Sequence, residues 1–182
     1  MRTSFELILR HNGVAIPEPI LGRTSVAAVR ALSYLETVVQ FVHLDVKPGN
    51  ILLDDRSPLG SIKLCDFGIA ERLIDSRALT APHGTPAYMA PERFDDGEPN
   101  KWFDARADVW SLGVTLFELA TGRNPYASFN NEASVPFRVT ELPAPQLSAS
   151  NWSSDDNDTA ARDFINSCLT KAVDDRPRWD DL

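Results

Sequence analysis

Four polar side chains in the first half of the chain could do chemistry together. They are Asp45, Lys47, Asn50 and Asp66, and they occur in His43-Leu44-Asp45-Val46-Lys47-Pro48-Gly49-Asn50 and Asp66-Phe67-Gly68, which Ala90-Pro91-Glu92 follows. Phosphoryl transfer needs an attacking hydroxyl that is positioned and deprotonated, and a metal that neutralises phosphate charge. A hard divalent cation prefers carboxylate and carbonyl oxygens. Singly, such residues are common in turns or solvated, but together they indicate phosphoryl transfer.

The three segments resemble, in order and spacing, the signature elements of protein kinases. Neither a G-x-G-x-x-G loop nor a Val-Ala-Ile-Lys-like strand precedes them in this sequence. The resemblance therefore implies a mainly α fold, a protein-kinase-like C-terminal lobe with a short β-hairpin and with the N-terminal lobe absent. It implies one partial kinase domain over residues 1–182, with a catalytic loop at 43–50 and an activation segment at 66–92.

In the family pattern the candidate residues have distinct roles, and the cofactors are ATP and Mg²⁺. Asp45 would accept the proton of the substrate hydroxyl, and Lys47 would contact the transferring phosphate. Asn50 and Asp66 would hold magnesium. Leu52, in the strand after Asn50, would form the floor of the adenine site.

A second group of residues is expected to support the site rather than to touch the substrate. His43 and Phe67 are predicted to pack into the core. Asp108 lies in a very apolar segment and needs buried partners, which the backbone amides of the catalytic loop would supply. Glu92 is expected to form a buried ion pair with Arg176 that holds the activation segment. The alternative is that both are ordinary surface residues.

The composition favours one globular domain and argues against several classes of partner. The chain has 182 residues, of which 43% are hydrophobic, and a formal net charge of −8, so a nucleic-acid-binding surface is not expected. Two cysteines, Cys65 and Cys168, indicate neither a disulfide framework nor a zinc site. No apolar run of about eighteen residues could span a membrane, and residues 1–10 lack the apolar core of a signal peptide. We expect a cytoplasmic protein, with the nucleus as a second compartment.

Hydrophobic spacing predicts the elements that must position these motifs. The predicted helices cover 5–10, 21–39, 108–120 and 161–169. Residues 51–53 and 62–64 are predicted to form a hairpin. Residues 76–86 contain several Pro and Gly residues and are predicted to be an exposed loop, and 127–154 give no clear periodicity.

Four longer segments are similar to mitogen-activated protein kinase kinases, particularly those of the stress-activated branch. They are 16–22, 62–69, 87–93 and 108–113, which read IPEPILG, IKLCDFGI, AYMAPER and DVWSLG. This similarity implies a dual-specificity kinase that phosphorylates Thr and Tyr of a downstream mitogen-activated protein kinase. An upstream kinase would be its activator.

The same similarity identifies regulatory positions in the activation segment. Residues 75–80 match the pattern that is phosphorylated in the family, at Ser76 and Thr80, and Thr85 would line the substrate-docking segment. An added phosphate can be ordered by an Arg cluster, and the alternative is an ordinary polar loop. Leu44 stands where the family has Arg beside the catalytic Asp. Leucine cannot pair with phosphate, which argues against phosphorylation-dependent activation although Asp45 is present.

Three hypotheses follow for the function. The chain is part of a longer active kinase, or a non-catalytic module that binds signalling kinases as a decoy or scaffold, or a degenerate fragment. The first is favoured because the metal and base residues remain together. Residues 1–182 alone are expected to show little transfer, since half of the nucleotide cleft would lie in the other lobe. The face toward that lobe, with Leu52 and Phe67, is expected to expose an apolar patch.

Overall fold

Five helices and three small sheets make up the described part of the chain. The computed structural model describes residues 2–13, 15–54, 61–79, 83–94, 102–127, 131–152 and 159–182. In chain order the elements are β1 (Arg2–Ser4), α1 (Phe5–Asn12), α2 (Glu18–Tyr34), β2 (Phe41–Val42), β3 (Ile51–Asp54), β4 (Ser61–Leu64), β5 (Glu71–Arg72), β6 (Ala78–Leu79), β7 (Trp102–Phe103), α3 (Arg106–Thr121), α4 (Val135–Thr140) and α5 (Ala160–Cys168). Short 3₁₀ turns connect several of them, including Pro48–Asn50, Pro86–Tyr88 and Pro91–Arg93.

Helix α3 is buried on nearly every side and forms the centre of the core. An apolar helix of this kind must be surrounded by other elements, and α2 and α5 both pack against it. The helix ends at Gly122, which has a left-handed φ of 74° and donates its N–H to the Glu118 carbonyl at 2.7 Å. Glycine adopts this conformation without a Cβ penalty. The helix predicted over 108–120 is therefore confirmed.

The long helix predicted over 21–39 changes pitch within that range. Regular α-helix ends at Tyr34, and a π-helical turn, Leu35–Val39, continues it to Gln40, which has a φ of 61°. The buried side of α2 is the stripe Leu21, Thr24, Ala28 and Leu32, whose helical spacing matches a single face against the core. This helix leads directly into β2 and the segment 43–50.

The predicted hairpin is present, but it belongs to a larger sheet. Strands β3 and β4 pair antiparallel with Ile51 opposite Leu64, and β1 adds a third strand with Ser4 opposite Leu52. The turn at 55–60 lies outside the described residues. Three residues are too few for β1 to show an alternating pattern, so sequence periodicity could not reveal it.

Two further pairs of strands tie the activation segment to the rest of the chain. Strand β5 pairs with β2, and β6 pairs with β7. The loop predicted over 76–86 therefore contains a short strand at its start, which is a correction. A two-residue strand carries no readable period, and its pairing partner is distant in sequence. No described helix combines the length and the apolar content needed to cross a membrane.

Packing between α3 and α5 depends on Gly113, and this gives a test of the core. A Cβ at this position would lie 2.8 Å from Cys168 Cβ and 3.0 Å from Leu169 Cγ. Gly113→Ala should therefore lower the free energy of unfolding by about 1–3 kcal/mol through overpacking. At Gly22, on the exposed side of α2, a Cβ would meet nothing within 4 Å. Gly22→Ala should raise stability by roughly 0.5–1 kcal/mol, so equal effects in urea denaturation would contradict this packing.

Candidate active site

The β3–β4 hairpin brings Asn50 and Asp66 to the same end of the sheet. Asn50 precedes β3 directly, and Cys65 and Asp66 follow β4 directly. Since Ile51 lies opposite Leu64, the residues just outside this pair must also be neighbours. The Cys65 N–H donates to the Asn50 carbonyl at 2.9 Å, which fixes their relation.

Asp45 lies at the centre of a closed network of polar side chains. Its Oδ1 accepts from the Thr85 hydroxyl at 2.7 Å and from the Thr85 N–H at 3.2 Å. Its Oδ2 accepts from Asn50 Nδ2 at 3.0 Å and pairs with Lys47 Nζ at 2.6 Å. Lys47 Nζ also donates to Thr85 Oγ1 at 2.8 Å. Three residues from two distant segments, Lys47, Asn50 and Thr85, therefore fix one carboxylate.

The surroundings of Asp45 keep it ionised. Partial burial raises its pKa, but hydrogen bonds from Lys47 and Thr85 and the Lys47 charge outweigh burial, so the pKa lies below the ordinary aspartate value. The carboxylate is only 12% exposed and Lys47 is 28% exposed. An ionised carboxylate can accept a proton from a hydroxyl. Once Asp45 is protonated, the ammonium group of Lys47 is no longer neutralised by it and can pair with another anion.

Three polar residues on one face of α3 hold the backbone around this network. Asp108 accepts the N–H groups of His43 and Leu44 at 2.7 and 2.8 Å. Ser111 donates to the Tyr88 carbonyl at 2.8 Å, and Thr115 donates to the Val46 carbonyl at 3.2 Å. A carboxylate in an apolar interior needs such donors. Burial raises the pKa of Asp108, and the His43 charge and the N–H groups of His43 and Leu44 offset that rise only in part.

His43 joins the catalytic loop to the hairpin end. Its side chain is fully buried, Nδ1 accepts the Asp45 N–H at 3.3 Å, and Nε2 lies 3.1 Å from the Cys65 carbonyl. Since Nδ1 accepts and a carbonyl cannot donate, the proton is assigned to Nε2. Phe67 differs from the prediction, because it is 51% exposed rather than packed in the core. The Phe67 ring contacts the His43 ring on one side, with 5.0 Å between the ring centroids.

The oxygens of Asn50 and Asp66 suit a hard divalent cation. Both hydrogen bonds of the Asn50 side chain are donated by Nδ2, so within the described residues Oδ1 is left to act as a ligand. Asp66 is exposed and has a φ of 63°, which Asp tolerates better than most residues. The described residues hold no group of three or more His, Cys, Asp or Glu that could bind a metal ion without further ligands. Mg²⁺ is commonly held by one or two carboxylates with substrate phosphates, and these donors fit it.

Glu92 and Arg176 form a bidentate ion pair. Arg176 Nη1 lies 2.7 Å from Oε1, and Nη2 lies 3.0 Å from Oε2. The Arg176 side chain is fully buried, donates to the carbonyls of Thr170 and Arg106, and has its guanidinium 5.3 Å from the Trp110 ring centroid. Every direction of this guanidinium is therefore used within the core.

The remaining predicted positions lie in different surroundings. Leu52 is half-buried in the central strand of the three-stranded sheet. Ser76 is exposed, has a φ of 62°, and lines a surface cavity with Glu36 and Arg178. Thr80 lies outside the described residues. Thr85, expected only to line a docking segment, contacts Asp45 directly.

Sequence reasoning missed one residue near the site, Arg93. It follows the Ala-Pro-Glu motif, yet it is only 2% exposed and donates to the Leu44 carbonyl at 3.0 Å. A lone arginine in a turn gives no sequence signal of burial, because arginine is usually solvated. Its neighbour Glu92 was found only through its family motif.

Comparisons with known proteins agree with the predicted resemblance. The model of the protein family "Protein kinase domain" matches residues 1–182. The chain is 47% identical over 185 residues to the dual specificity mitogen-activated protein kinase kinase hemipterous of Drosophila melanogaster, covering 100% of this chain and 15% of that protein. For dual specificity mitogen-activated protein kinase kinase 7 of Homo sapiens the identity is 46% over 183 residues, covering 100% and 42%. For mek-1 of Caenorhabditis elegans it is 45% over 184 residues, covering 100% and 49%. The chain thus spans less than half the length of these three relatives.

The Glu92–Arg176 pair predicts a large loss of stability when one partner is removed. Arg176→Leu leaves a nearly buried carboxylate without its cation, so the free energy of unfolding should fall by about 3–5 kcal/mol. Arg10→Leu is the matched control, since the Arg10–Glu6 pair is 71% and 46% exposed and is worth at most about 0.5 kcal/mol. Urea denaturation compares the two variants. A small loss in Arg176→Leu would show that this pair does not hold the segment.

The lowered pKa of Asp45 predicts an acid-sensitive contribution to stability. The pKa of Asp45 in the folded chain is below its pKa in the unfolded chain, which is about 3.9. The stabilisation is therefore complete at pH values above the unfolded pKa. It is lost as pH falls through the folded pKa. Wild-type protein should therefore lose more stability than Asp45→Asn between about pH 6 and pH 3. Parallel pH profiles from urea denaturation would contradict the assigned network.

Proposed function

The chain belongs to the protein kinase domain family, and from that premise we propose that it carries the phosphotransfer residues of a mitogen-activated protein kinase kinase. The reaction would move the terminal phosphoryl group of ATP to hydroxyls of a downstream mitogen-activated protein kinase. The observation that carries this proposal is the network of Asp45, Lys47, Asn50 and Thr85 beside Asp66. The relatives named above are dual specificity kinases of this kind.

In this proposal Asp45 receives the proton of the attacking hydroxyl. Its lowered pKa keeps it ionised, and the Thr85 hydroxyl and N–H hold Oδ1 in one direction. A substrate hydroxyl would approach the exposed edge of the carboxylate. Positioning of this kind, rather than covalent chemistry, supplies most of the catalysis in phosphoryl transfer.

Lys47 would neutralise the charge on the transferred phosphoryl group. Its ammonium group lies 2.6 Å from Asp45 Oδ2, so a phosphate that reaches Lys47 also lies next to the proton acceptor. Lysine has three donors on a flexible stem, which allows Nζ to keep its contact with Thr85 while it faces phosphate. The proton acceptor and the phosphate contact thus form one unit.

Asn50 and Asp66 would hold Mg²⁺, which when bound would neutralise charge on the phosphates of ATP. Leu52, two residues after Asn50 on β3, would face the adenine. Asn50 has a second role, since its Nδ2 donates to Asp45 Oδ2 and to the Asp45 carbonyl. This asparagine would therefore couple the metal site to the proton acceptor.

Regulation by an upstream kinase is proposed at Ser76 and Thr80. Ser76 is exposed and accessible to another enzyme. Its surroundings are electrostatically mixed, because Arg178 lines the same cavity as Glu36 and Asp180. Leu44 is buried and has no charge to offer a phosphate. Among the residues that line this cavity, Arg178 is the cation that a phosphate at Ser76 could meet, and Arg178 already lies 3.8 Å from Asp104 Oδ2.

Binding of Mg²⁺-ATP to the 182-residue chain tests the proposed metal and nucleotide site. A ligand that binds only the folded chain raises the melting temperature, so Mg²⁺-ATP should produce a thermal shift. Asp66→Ala and Asn50→Ala should each abolish it. Asp163→Ala, which removes an exposed acid on α5, is the control and should retain the shift.

Two outcomes of that titration would separate the functional alternatives. A shift in Asp66→Ala equal to wild type would place any nucleotide site elsewhere. No shift in folded wild-type protein would favour a non-catalytic module that binds signalling kinases. The proton acceptor is tested by transfer assays in a longer protein that also supplies the other lobe, where Asp45→Asn should lose activity on the order of 10²–10⁴-fold.

A further inference from the structure

The backbone of Leu44 is held from both sides by opposite charges. Its N–H donates to Asp108 Oδ1 at 2.8 Å, and its carbonyl accepts from Arg93 Nη1 at 3.0 Å. Leu44 has a φ of 68°, a left-handed conformation that is strained for a residue with a side chain. The two charged contacts oppose this strain, and they fix the peptide planes on either side of Leu44. Asp45 is the next residue, so its direction depends on this conformation.

Arg93 joins the catalytic loop to the activation segment. While Nη1 donates to Leu44, Nη2 donates to the carbonyl of His83. The guanidinium carbon lies 5.3 Å from the Phe103 ring centroid, and the residue is 2% exposed. One planar group thus holds the main-chain carbonyls of Leu44 and His83, which belong to two segments that are distant in sequence.

Gly84 allows the two segments to cross at this point. A Cβ there would lie 3.1 Å from the Leu44 carbonyl oxygen and 3.4 Å from Arg93 Nη1. Its φ of 137° is also one that residues with a side chain rarely adopt. The residue after this crossing is Thr85, which delivers its N–H and hydroxyl to Asp45. The chain order His83, Gly84, Thr85 therefore leads from the guanidinium to the carboxylate.

We propose that Arg93 is a positioning residue, which sets the contact between Thr85 and Asp45 by holding the carbonyls of Leu44 and His83 with one guanidinium. The catalytic meaning of this role rests on the proposed function, whereas the geometric role does not. Arginine is required because its rigid fork serves two acceptors in fixed directions. Lysine would keep the charge but not this fork.

The Thr85 amide reports the contact directly. Its N–H donates to Asp45 Oδ1 at 3.2 Å, so this amide is protected from hydrogen exchange while the contact is formed. The Arg93 guanidinium holds the His83 carbonyl, two residues earlier in the chain. Loss of that hold would release the Thr85 amide without unfolding the core.

The test is hydrogen exchange at the Thr85 amide, followed by NMR in the 182-residue chain, in wild type, Arg93→Lys and Arg93→Gln, with the amides of α3 as the reference for unfolding. We expect the Thr85 amide to lose its protection in both variants while α3 stays protected, because both variants lose the bridge to His83. Arg138→Gln is the matched control. Arg138 also donates to two backbone carbonyls, those of Tyr126 and Pro125, at 2.9 Å each. This variant should leave the protection of the Thr85 amide unchanged.

Three results would overturn the proposal. They are an unchanged protection of the Thr85 amide in Arg93→Gln, an unchanged protection in Arg93→Lys alone, which would show that charge suffices, and an equal loss of protection in Arg138→Gln. If the Arg93 variants do not fold, Gly84→Ala disturbs the same crossing from the other side, and the Thr85 amide must lose its protection there too. The measurement needs neither ATP nor transfer, so the proposed function can fail while this inference stands.

Discussion

The buried carboxylate of Asp108 is the constraint on which the candidate site depends. A carboxylate inside an apolar helix needs donors, and the chain supplies them from the backbone of His43 and Leu44. Hydrogen bonds to a charged group contribute about 1.5–3 kcal/mol each. Together the two hydrogen bonds can offset the cost of the left-handed conformation of Leu44, which is about 1–3 kcal/mol for a residue with a side chain. The direction of Asp45 follows from that conformation, so a core residue determines the geometry of the site.

The other parts of the site are connected to Asp108 through helix α3 and through His43. Ser111 and Thr115 lie on the same face of α3 and bind the Tyr88 and Val46 carbonyls, so one helix holds both the activation segment and the catalytic loop. His43 carries the connection to Cys65 and thus to Asp66 at the hairpin end. Polar residues at helical spacing on one central helix therefore help to hold Asp45, the proposed proton acceptor, in line with Asn50 and Asp66, the proposed metal ligands.

Much of this arrangement could be predicted from the sequence, and the rest has a physical reason for being hidden. The α3 segment and the β3–β4 hairpin have clear periodic or apolar patterns, and short motifs identified Asp45, Asn50 and Asp66. Strands β1, β6 and β7 have two or three residues and no period. The exposure of Phe67 and the burial of Arg93 depend on what packs against them in three dimensions. The contact of Thr85 with Asp45 joins segments 40 residues apart, which no local pattern records.

Hydrogen exchange at the amides of His43 and Leu44 tests the central claim most directly. Both N–H groups donate to a buried carboxylate in the core helix, so they should exchange only when the domain unfolds, at the same free energy as the amides of α3. Exchange at the rate of an exposed loop, while α3 remains protected, would contradict the account. It would show that the catalytic loop opens independently and that Asp108 does not determine its conformation.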